Sequence, residues 1–208
     1  MIEKEPLILS LIYTSHLADS KKLITASSGN ISARLNDNEF LISGTGKFLG
    51  SLTDKDISFC FIDDSEKYSG AKPSMENHFH RAIYKNSPDA NAVLHFQSLY
   101  ATVLACSALP EYDLNFIPES VVYLKHIEVL PYFLPGSKEL ADEISRMSPR
   151  TDIFVLNNHG QVAVGKNLDD VLRKASIFEF ACGIAVLSLN QAVRLSKKEV
   201  DELIKNYG

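Results

Sequence analysis

The sequence is poor in cysteine and has no excess of basic residues. Its three cysteines, Cys60, Cys106 and Cys182, lie far apart and without CxxC spacing, which argues against a disulfide framework and a thiolate zinc site. The chain has 21 lysines and arginines against 26 acidic residues, a net charge of −5. No basic field therefore favours nucleic acid or an anionic membrane as a partner, and a reducing compartment is expected.

The chain also lacks long hydrophobic runs, internal repeats and linkers. Charged residues within 1–6 precede a short apolar run that Thr14, Ser15 and His16 interrupt, which is typical neither of a signal peptide nor of a membrane span. Hydrophobic residues nevertheless make up 45% of the 208 residues, enough for a sizeable core. We expect one domain over residues 1–208, located in the cytoplasm.

Apolar periodicity predicts helices and strands that interleave along the chain. The segment 112–119 has no clear assignment. Helices are expected around Ile8 and over 73–85, 101–105, 137–147, 168–189 and 196–207, and strands over 40–43, 57–62, 92–96, 127–130, 152–156 and 161–164. Because several connections between strands are short, the pattern favours an α/β or α+β fold with a largely antiparallel sheet.

Two histidines follow apolar strands. His95 and Gln97 are two residues apart at the end of one strand, so both side chains are expected on one face of the sheet. His159 lies in the polar turn 157–160, where loops often carry function. A histidine at either place can be a metal ligand or a hydrogen-bonded structural residue, and the pattern leaves both open.

Other polar residues have a weaker signal. Glu76 is expected in the first turn of a helix, where it is either a catalytic base or a carboxylate that stabilises the helix. The turns 27–30 and 43–46 combine glycine with hydroxyl groups that can hold a phosphate. His78 and His80 point to different faces of the same predicted helix, and we interpret them as structural.

Five motifs, taken in order, resemble the class II aldolase/adducin family over nearly the whole chain. They are Gly29-Asn30-Ile31-Ser32, Ile42-Ser43-Gly44-Thr45-Gly46, Pro73-Ser74-Met75-Glu76 with His80 and Tyr84 downstream, Ala92-Val93-Leu94-His95, and Asn158-His159-Gly160. The resemblance implies a three-layer α/β/α fold around a mainly antiparallel sheet. It also implies a homotetramer with active sites between adjacent subunits.

The resemblance assigns roles to particular residues. Family members hold a divalent metal, usually zinc, with three histidines; here His95 and His159 match, but Gln97 occupies the second position. Glu76 corresponds to the family's acid/base, and Tyr207 to a tyrosine that reaches a neighbouring subunit's site and donates a proton. Met75 replaces a serine of the phosphate site. The other phosphate-binding positions implied are Ser27, Asn30, Thr45, Gly46 and Ser74.

The expected function is therefore metal-dependent aldol cleavage of a small sugar phosphate through an enediolate. An epimerase, a dehydratase or a decarboxylase on the same scaffold would use related chemistry. A non-catalytic, adducin-like binding or assembly module is the alternative outside enzymes. Gln97 favours that alternative, whereas the set of Glu76, His95 and His159 favours an enzyme, because burying such polar groups costs free energy.

Overall fold

The fold is built from eight strands and seven helices in a computed structural model that describes residues 4–107 and 112–208. Residues 1–3 of the charged N-terminal segment lie outside the described part. The strands are β1 (Asn30–Arg34), β2 (Glu39–Ser43), β3 (Ile57–Phe61), β4 (Tyr68–Gly70), β5 (Ala92–Phe96), β6 (Ile127–Leu130), β7 (Ile153–Leu156) and β8 (Gly160–Gly165). The helices are α1 (Lys4–Ser20), α2 (Asn77–Asn86), α3 (Leu99–Ala105), α4 (Pro118–Tyr123), α5 (Lys138–Met147), α6 (Leu168–Leu187) and α7 (Lys197–Tyr207).

All eight strands join one sheet, in the order β4-β3-β2-β1-β5-β8-β7-β6. Neighbouring strands are antiparallel except β6 and β7, which are parallel. This confirms the expected α/β fold with a mainly antiparallel central sheet.

Each face of the sheet is covered by its own hydrophobic core. Leu94 and Phe96 of β5 pack on the side of α1, α3 and α6, whereas Val93 packs on the side of α2 and α5. This alternation follows from the two-residue period of a strand. The result is the three-layer α/β/α arrangement that the resemblance implied, with His95 directed towards α2.

The structure corrects part of the predicted secondary structure. Strands β1 and β4 and helix α4 were not predicted. β1 alternates polar and apolar residues, but it is short and holds only two apolar residues, and its polar residues Asn30 and Ser32 are buried. The predicted helix start near Pro73-Ser74 is wrong: Pro73 forms a bridge with Gly44, and α2 begins at Asn77.

Within the described residues, none of the helices is both long and apolar enough to cross a lipid bilayer.

Candidate metal and active site

Two imidazoles and one carboxylate meet at the ends of the central strands β5 and β8, on the side of α2. Nε2 of His95 lies 3.3 Å from Oε2 of Glu76, and Nε2 of His159 lies 3.3 Å from Oε1. The three potential ligand atoms lie within 4.8 Å of one another. Glu76 is 8% exposed and His95 is 1% exposed, so the cluster is largely shielded from water.

A tight turn before α2 places Glu76. The hydroxyl of Ser74 accepts the Glu76 N–H at 3.2 Å, and the Ser74 carbonyl accepts the Asn77 N–H at 3.0 Å. The bridge between Gly44 and Pro73 anchors this turn beside the end of β2. Glu76 therefore lies just before the helix rather than in its first turn, where it was expected.

The hairpin between β7 and β8 places His159. Asn158 has a positive φ of 55°, a conformation that asparagine tolerates better than most residues. The His159 N–H then donates to the Leu156 carbonyl at 3.0 Å. This turn directs the imidazole back towards Glu76.

Gly160 makes room for His95 and Gln97. A Cβ at this position would lie 3.0 Å from Cε1 of His95, 2.8 Å from Cγ of Gln97 and 2.9 Å from the Phe96 carbonyl. Real Cβ atoms are rarely found so close to other atoms, so any side chain here would displace the site.

The environment of the cluster fixes its charge. Burial raises the pKa of the Glu76 carboxyl, but the facing imidazoles and the amide of Asn30 outweigh burial and lower the pKa to about 2. Burial lowers the pKa of His95. At neutral pH an ionised carboxylate therefore faces a neutral imidazole ring.

The donor set suits a divalent cation. Nδ1 of His95 donates to the Gln161 carbonyl at 2.9 Å, so Nε2 of the neutral ring carries the lone pair that faces Glu76. Oε1 of Glu76 is buried and makes no hydrogen bond within the described residues. Two imidazole nitrogens and a carboxylate oxygen are ligands that zinc and other first-row metals accept. A cation between them would relieve the repulsion of these facing lone pairs.

Gln97 lies one residue beyond β5 and is half-buried. Its Cγ lies on the same side of Gly160 as the His95 ring. Its backbone is tied to the loop before β1, because the Gln97 carbonyl accepts the hydroxyl of Thr25 at 3.0 Å. Gln97 thus stands beside the cluster, where its carboxamide oxygen is a neutral ligand weaker than an imidazole.

Three loops carry the residues that the resemblance assigns to phosphate. Ser27 is exposed in the turn before β1, Gly46 is exposed after β2, and Thr45 is half-buried beside Gly46. Ser74 is buried in the turn that holds Glu76. The loops of Thr45 and Ser74 are neighbours, since the Thr45 N–H donates to the Lys72 carbonyl at 3.0 Å.

Asn30 makes contacts that the sequence did not reveal. Its side-chain nitrogen donates to Oε2 of Glu76 at 2.9 Å, and its side-chain oxygen meets Nε2 of His80. Asn30 and His95 are paired residues of neighbouring strands, which no spacing in the sequence indicates. The amide is therefore engaged with the carboxylate rather than open to solvent.

Tyr207 is not among the groups around Glu76. It lies at the end of α7 and is 73% exposed. The phenol borders a cavity of about 520 Å³ that charged residues such as Arg173 and Lys174 of α6 also line. Within one chain the described structure thus brings together Glu76, His95 and His159 and leaves Tyr207 apart.

The layered sheet and the buried histidine–carboxylate cluster define an α/β protein with a set of ligands that could hold a divalent cation. Residues 10–186 match the family model of the class II aldolase and adducin N-terminal domain. The chain belongs to the class II aldolase/adducin family.

Individual relatives differ in the reactions for which they are named. The chain is 35% identical to 3-oxo-tetronate 4-phosphate decarboxylase of Haemophilus influenzae, over 84% of this chain and 85% of the relative. It is also 35% identical to L-fuculose phosphate aldolase of Methanococcus maripaludis, over 83% of this chain and 92% of the relative. YgbL from Klebsiella pneumoniae, whose structure has been solved, is 30% identical in sequence. Its structure matches with a TM-score of 0.90 over 98% of this chain and 100% of YgbL.

Proposed function

We propose that the chain is a metal-assisted lyase that breaks the bond between the α and β carbons of the ketone in a small phosphorylated sugar or sugar acid. The observation that carries the proposal is the position of Glu76 between His95 and His159, with Oε1 free of hydrogen bonds among the described residues. A free carboxylate oxygen beside a cation site is suited to moving a proton to or from carbon.

The proposed residues divide the chemistry. His95, His159 and Glu76 would hold the cation, and Gln97 stands where a further ligand would bind. The cation, for which we propose zinc, would supply positive charge that stabilises the developing enediolate. The loops of Ser27, Thr45, Gly46 and Ser74 would bind the substrate phosphate with hydroxyl and backbone donors.

Bond breakage sends an electron pair to the ketone and forms an enediolate. The α carbon, which has lost its neighbour, then takes one proton. We propose that Oε1 of Glu76 donates this proton after the carboxylate has taken it from water. In the reverse direction the ionised carboxylate removes the same proton. The three-carbon product would be dihydroxyacetone phosphate.

We favour decarboxylation of a 3-oxo sugar acid phosphate over aldol cleavage. Decarboxylation releases carbon dioxide and needs only the proton on carbon. Aldol cleavage also needs a base for the hydroxyl proton of the departing aldehyde. Among the acidic side chains of the described residues, Glu76 alone joins the two histidines. The relative from Haemophilus influenzae, named as such a decarboxylase, supports this choice.

Aldol cleavage of a ketose phosphate is the second candidate, and Tyr207 favours it. The exposed phenol at the end of α7 could serve the site of a neighbouring subunit. This requires the homotetramer with intersubunit active sites that the resemblance implies. We propose that assembly for a single domain over residues 1–208, acting in the cytoplasm.

Deuterium exchange tests the step that both reactions share. Metal-loaded protein should exchange one hydroxymethyl proton of dihydroxyacetone phosphate with solvent deuterium. In Glu76→Gln this exchange should be at least about 100-fold slower. Glu202→Gln, which removes an exposed carboxylate of α7, is the control and should exchange normally. Equal rates for wild type and Glu76→Gln would remove Glu76 from the mechanism, and no exchange at all would favour a binding module.

Product analysis then separates the two candidates. Wild type is offered 3-oxo-tetronate 4-phosphate and L-fuculose 1-phosphate, and carbon dioxide and aldehyde release are measured. Decarboxylation should proceed equally well in Tyr207→Phe, because no second proton-transfer group is needed. Aldehyde release that Tyr207→Phe abolishes would instead identify an aldolase.

A further inference from the structure

A buried row of polar side chains runs from Glu76 into the layer between the sheet and α2. Each member is at most 4% exposed, although the surrounding core is apolar. We call these residues the donor chain: Asn30, Ser32, His80 and Tyr84. Two belong to β1 and two to α2, so the chain links the central sheet to the helix that follows Glu76.

Hydrogen bonds connect the members without a gap. Asn30 Nδ2 lies 2.9 Å from Glu76 Oε2, and Asn30 Oδ1 meets Nε2 of His80. Nδ1 of His80 lies 2.7 Å from the Ser32 hydroxyl, which lies 2.7 Å from the Tyr84 hydroxyl.

Only one direction of donation satisfies all of these contacts. The carboxylate accepts only, so the NH₂ group of Asn30 faces Glu76 and its oxygen faces His80. His80 must then donate from Nε2, and its neutral ring accepts at Nδ1. The Ser32 hydroxyl donates to that nitrogen and accepts from Tyr84. Every donor therefore points towards Glu76.

The protonation of the two titratable members agrees with this direction. Burial lowers the pKa of His80 to about 3, so the ring is neutral at physiological pH. Burial raises the pKa of the Tyr84 phenol, which keeps its proton. Aligned hydrogen bonds in a low-dielectric interior strengthen one another.

We propose that the donor chain is a positioning device that holds Oε2 of Glu76 and leaves Oε1 to move the carbon proton. This inference rests on the proposed function of Glu76. Asn30 touches the carboxylate directly, and the other members act through it. A carboxamide does not readily pass a proton along, so the chain orients the carboxylate rather than supplying protons.

Variants along the donor chain test the proposal in the exchange of dihydroxyacetone phosphate. His80→Ala should lower kcat by about 10-fold to 100-fold and change KM little, because a misplaced carboxylate transfers protons poorly. His80→Gln should recover much of kcat, since its NH₂ group can donate to Asn30. The exposed His78 of the same helix provides the control His78→Gln, which should match wild type.

Tyr84→Phe tests the far end with little change in shape, which covers the case in which His80→Ala fails to fold. We expect a kcat loss of about threefold to tenfold. The double variant His80→Ala/Tyr84→Phe should be no worse than His80→Ala, because the chain is already broken. If the two substitutions caused independent structural defects, their fold-losses in kcat would instead multiply in the double variant.

Histidine ¹⁵N spectra provide a readout independent of activity. His80 should carry its proton on Nε2 and remain neutral from pH 8 to pH 5, and Tyr84→Phe should shift its Nδ1 signal. A proton on Nδ1 would overturn the inference. So would an unchanged kcat in both His80→Ala and Tyr84→Phe while Glu76→Gln abolishes exchange. If Glu76→Gln kept the full rate of exchange, the proposed function itself would be overturned.

Discussion

Nδ1 of His95 lies 2.9 Å from the carbonyl oxygen of Gln161 on the neighbouring strand, and this contact decides which ring nitrogen faces Glu76. Since a carbonyl only accepts, Nδ1 carries the proton and Nε2 presents its lone pair to the site. The sheet therefore sets the chemistry of the histidine before any cation binds. The backbone of β8 acts as a support for the site.

Gln97→His should increase the affinity for divalent metal. Gln97 lies beside His95 next to Gly160, and an imidazole is a stronger ligand than a carboxamide. We expect the dissociation constant for zinc to fall by about tenfold or more, measured by competition with a chromophoric chelator.

Gln191→His is the matched control, because it adds a histidine at an exposed position away from the cluster. Its zinc affinity should equal that of wild type. An unchanged affinity in Gln97→His would mean that this side chain does not reach the cation.

Gly160→Ala should weaken the metal site and the fold together. The new methyl group would meet the His95 ring, the Gln97 stem and a backbone oxygen. Such overpacking typically costs about 1–3 kcal/mol, which urea denaturation would measure. Gly165→Ala, at the other end of β8, would meet the side chain of Asp170 instead. That control should leave zinc affinity unchanged, and an equal loss of affinity in both variants would contradict the local role of Gly160.

The sequence predicted the strand ends that carry His95 and His159, because apolar runs stop there and polar residues begin. It did not predict that Asn30 contacts Glu76, because the contact depends on the pairing of β1 with β5. The buried polar residues of β1 also concealed the strand itself, since they face a hydrogen-bond network rather than an apolar core. Local pattern thus marked the two histidines, the family resemblance joined them to Glu76, and tertiary pairing supplied the supports.

Thr45→Val should weaken the binding of phosphorylated substrates. The change keeps the shape of the side chain and removes the hydroxyl that we assign to the phosphate. A hydrogen bond to a charged group contributes about 1.5–3 kcal/mol, so KM for dihydroxyacetone phosphate should rise about tenfold or more. Exchange of unphosphorylated dihydroxyacetone is the control and should be unaffected. A KM that rises equally for both ketones would contradict a phosphate contact.

The stability of the protein should fall in mild acid because of His80. Its pKa is lowered from 6.5 to about 3 by burial, so only the unfolded chain takes up this proton between those values. Above pH 6.5 the ring is neutral in both the folded and the unfolded state. As the pH falls from 6.5 towards 3, proton uptake by the unfolded chain progressively lowers the free energy of unfolding.

His80→Gln removes this dependence. The stability difference between wild type and variant should narrow by up to about 1.4 kcal/mol per pH unit below pH 6, measured by urea denaturation at pH 7.5, 6.5 and 5.5. Tyr84→Phe breaks the same network but keeps the imidazole, so its pH dependence should follow wild type. Parallel curves for wild type and His80→Gln would contradict a buried neutral ring.

Lys174→Met should destabilise the fold far from the metal site. The Lys174 ammonium lies 2.6 Å from Asp152 Oδ1, 3.5 Å from Asp170 Oδ2 and 2.7 Å from the Val164 carbonyl, and its side chain is 11% exposed. Removing it leaves two carboxylates without their shared cation in a poorly hydrated place, which costs about 3 kcal/mol. Lys85→Met breaks the exposed pair with Asp63 and should cost less than about 1 kcal/mol. Equal losses in the two variants, measured by urea denaturation, would show that burial does not strengthen the Lys174 pairs.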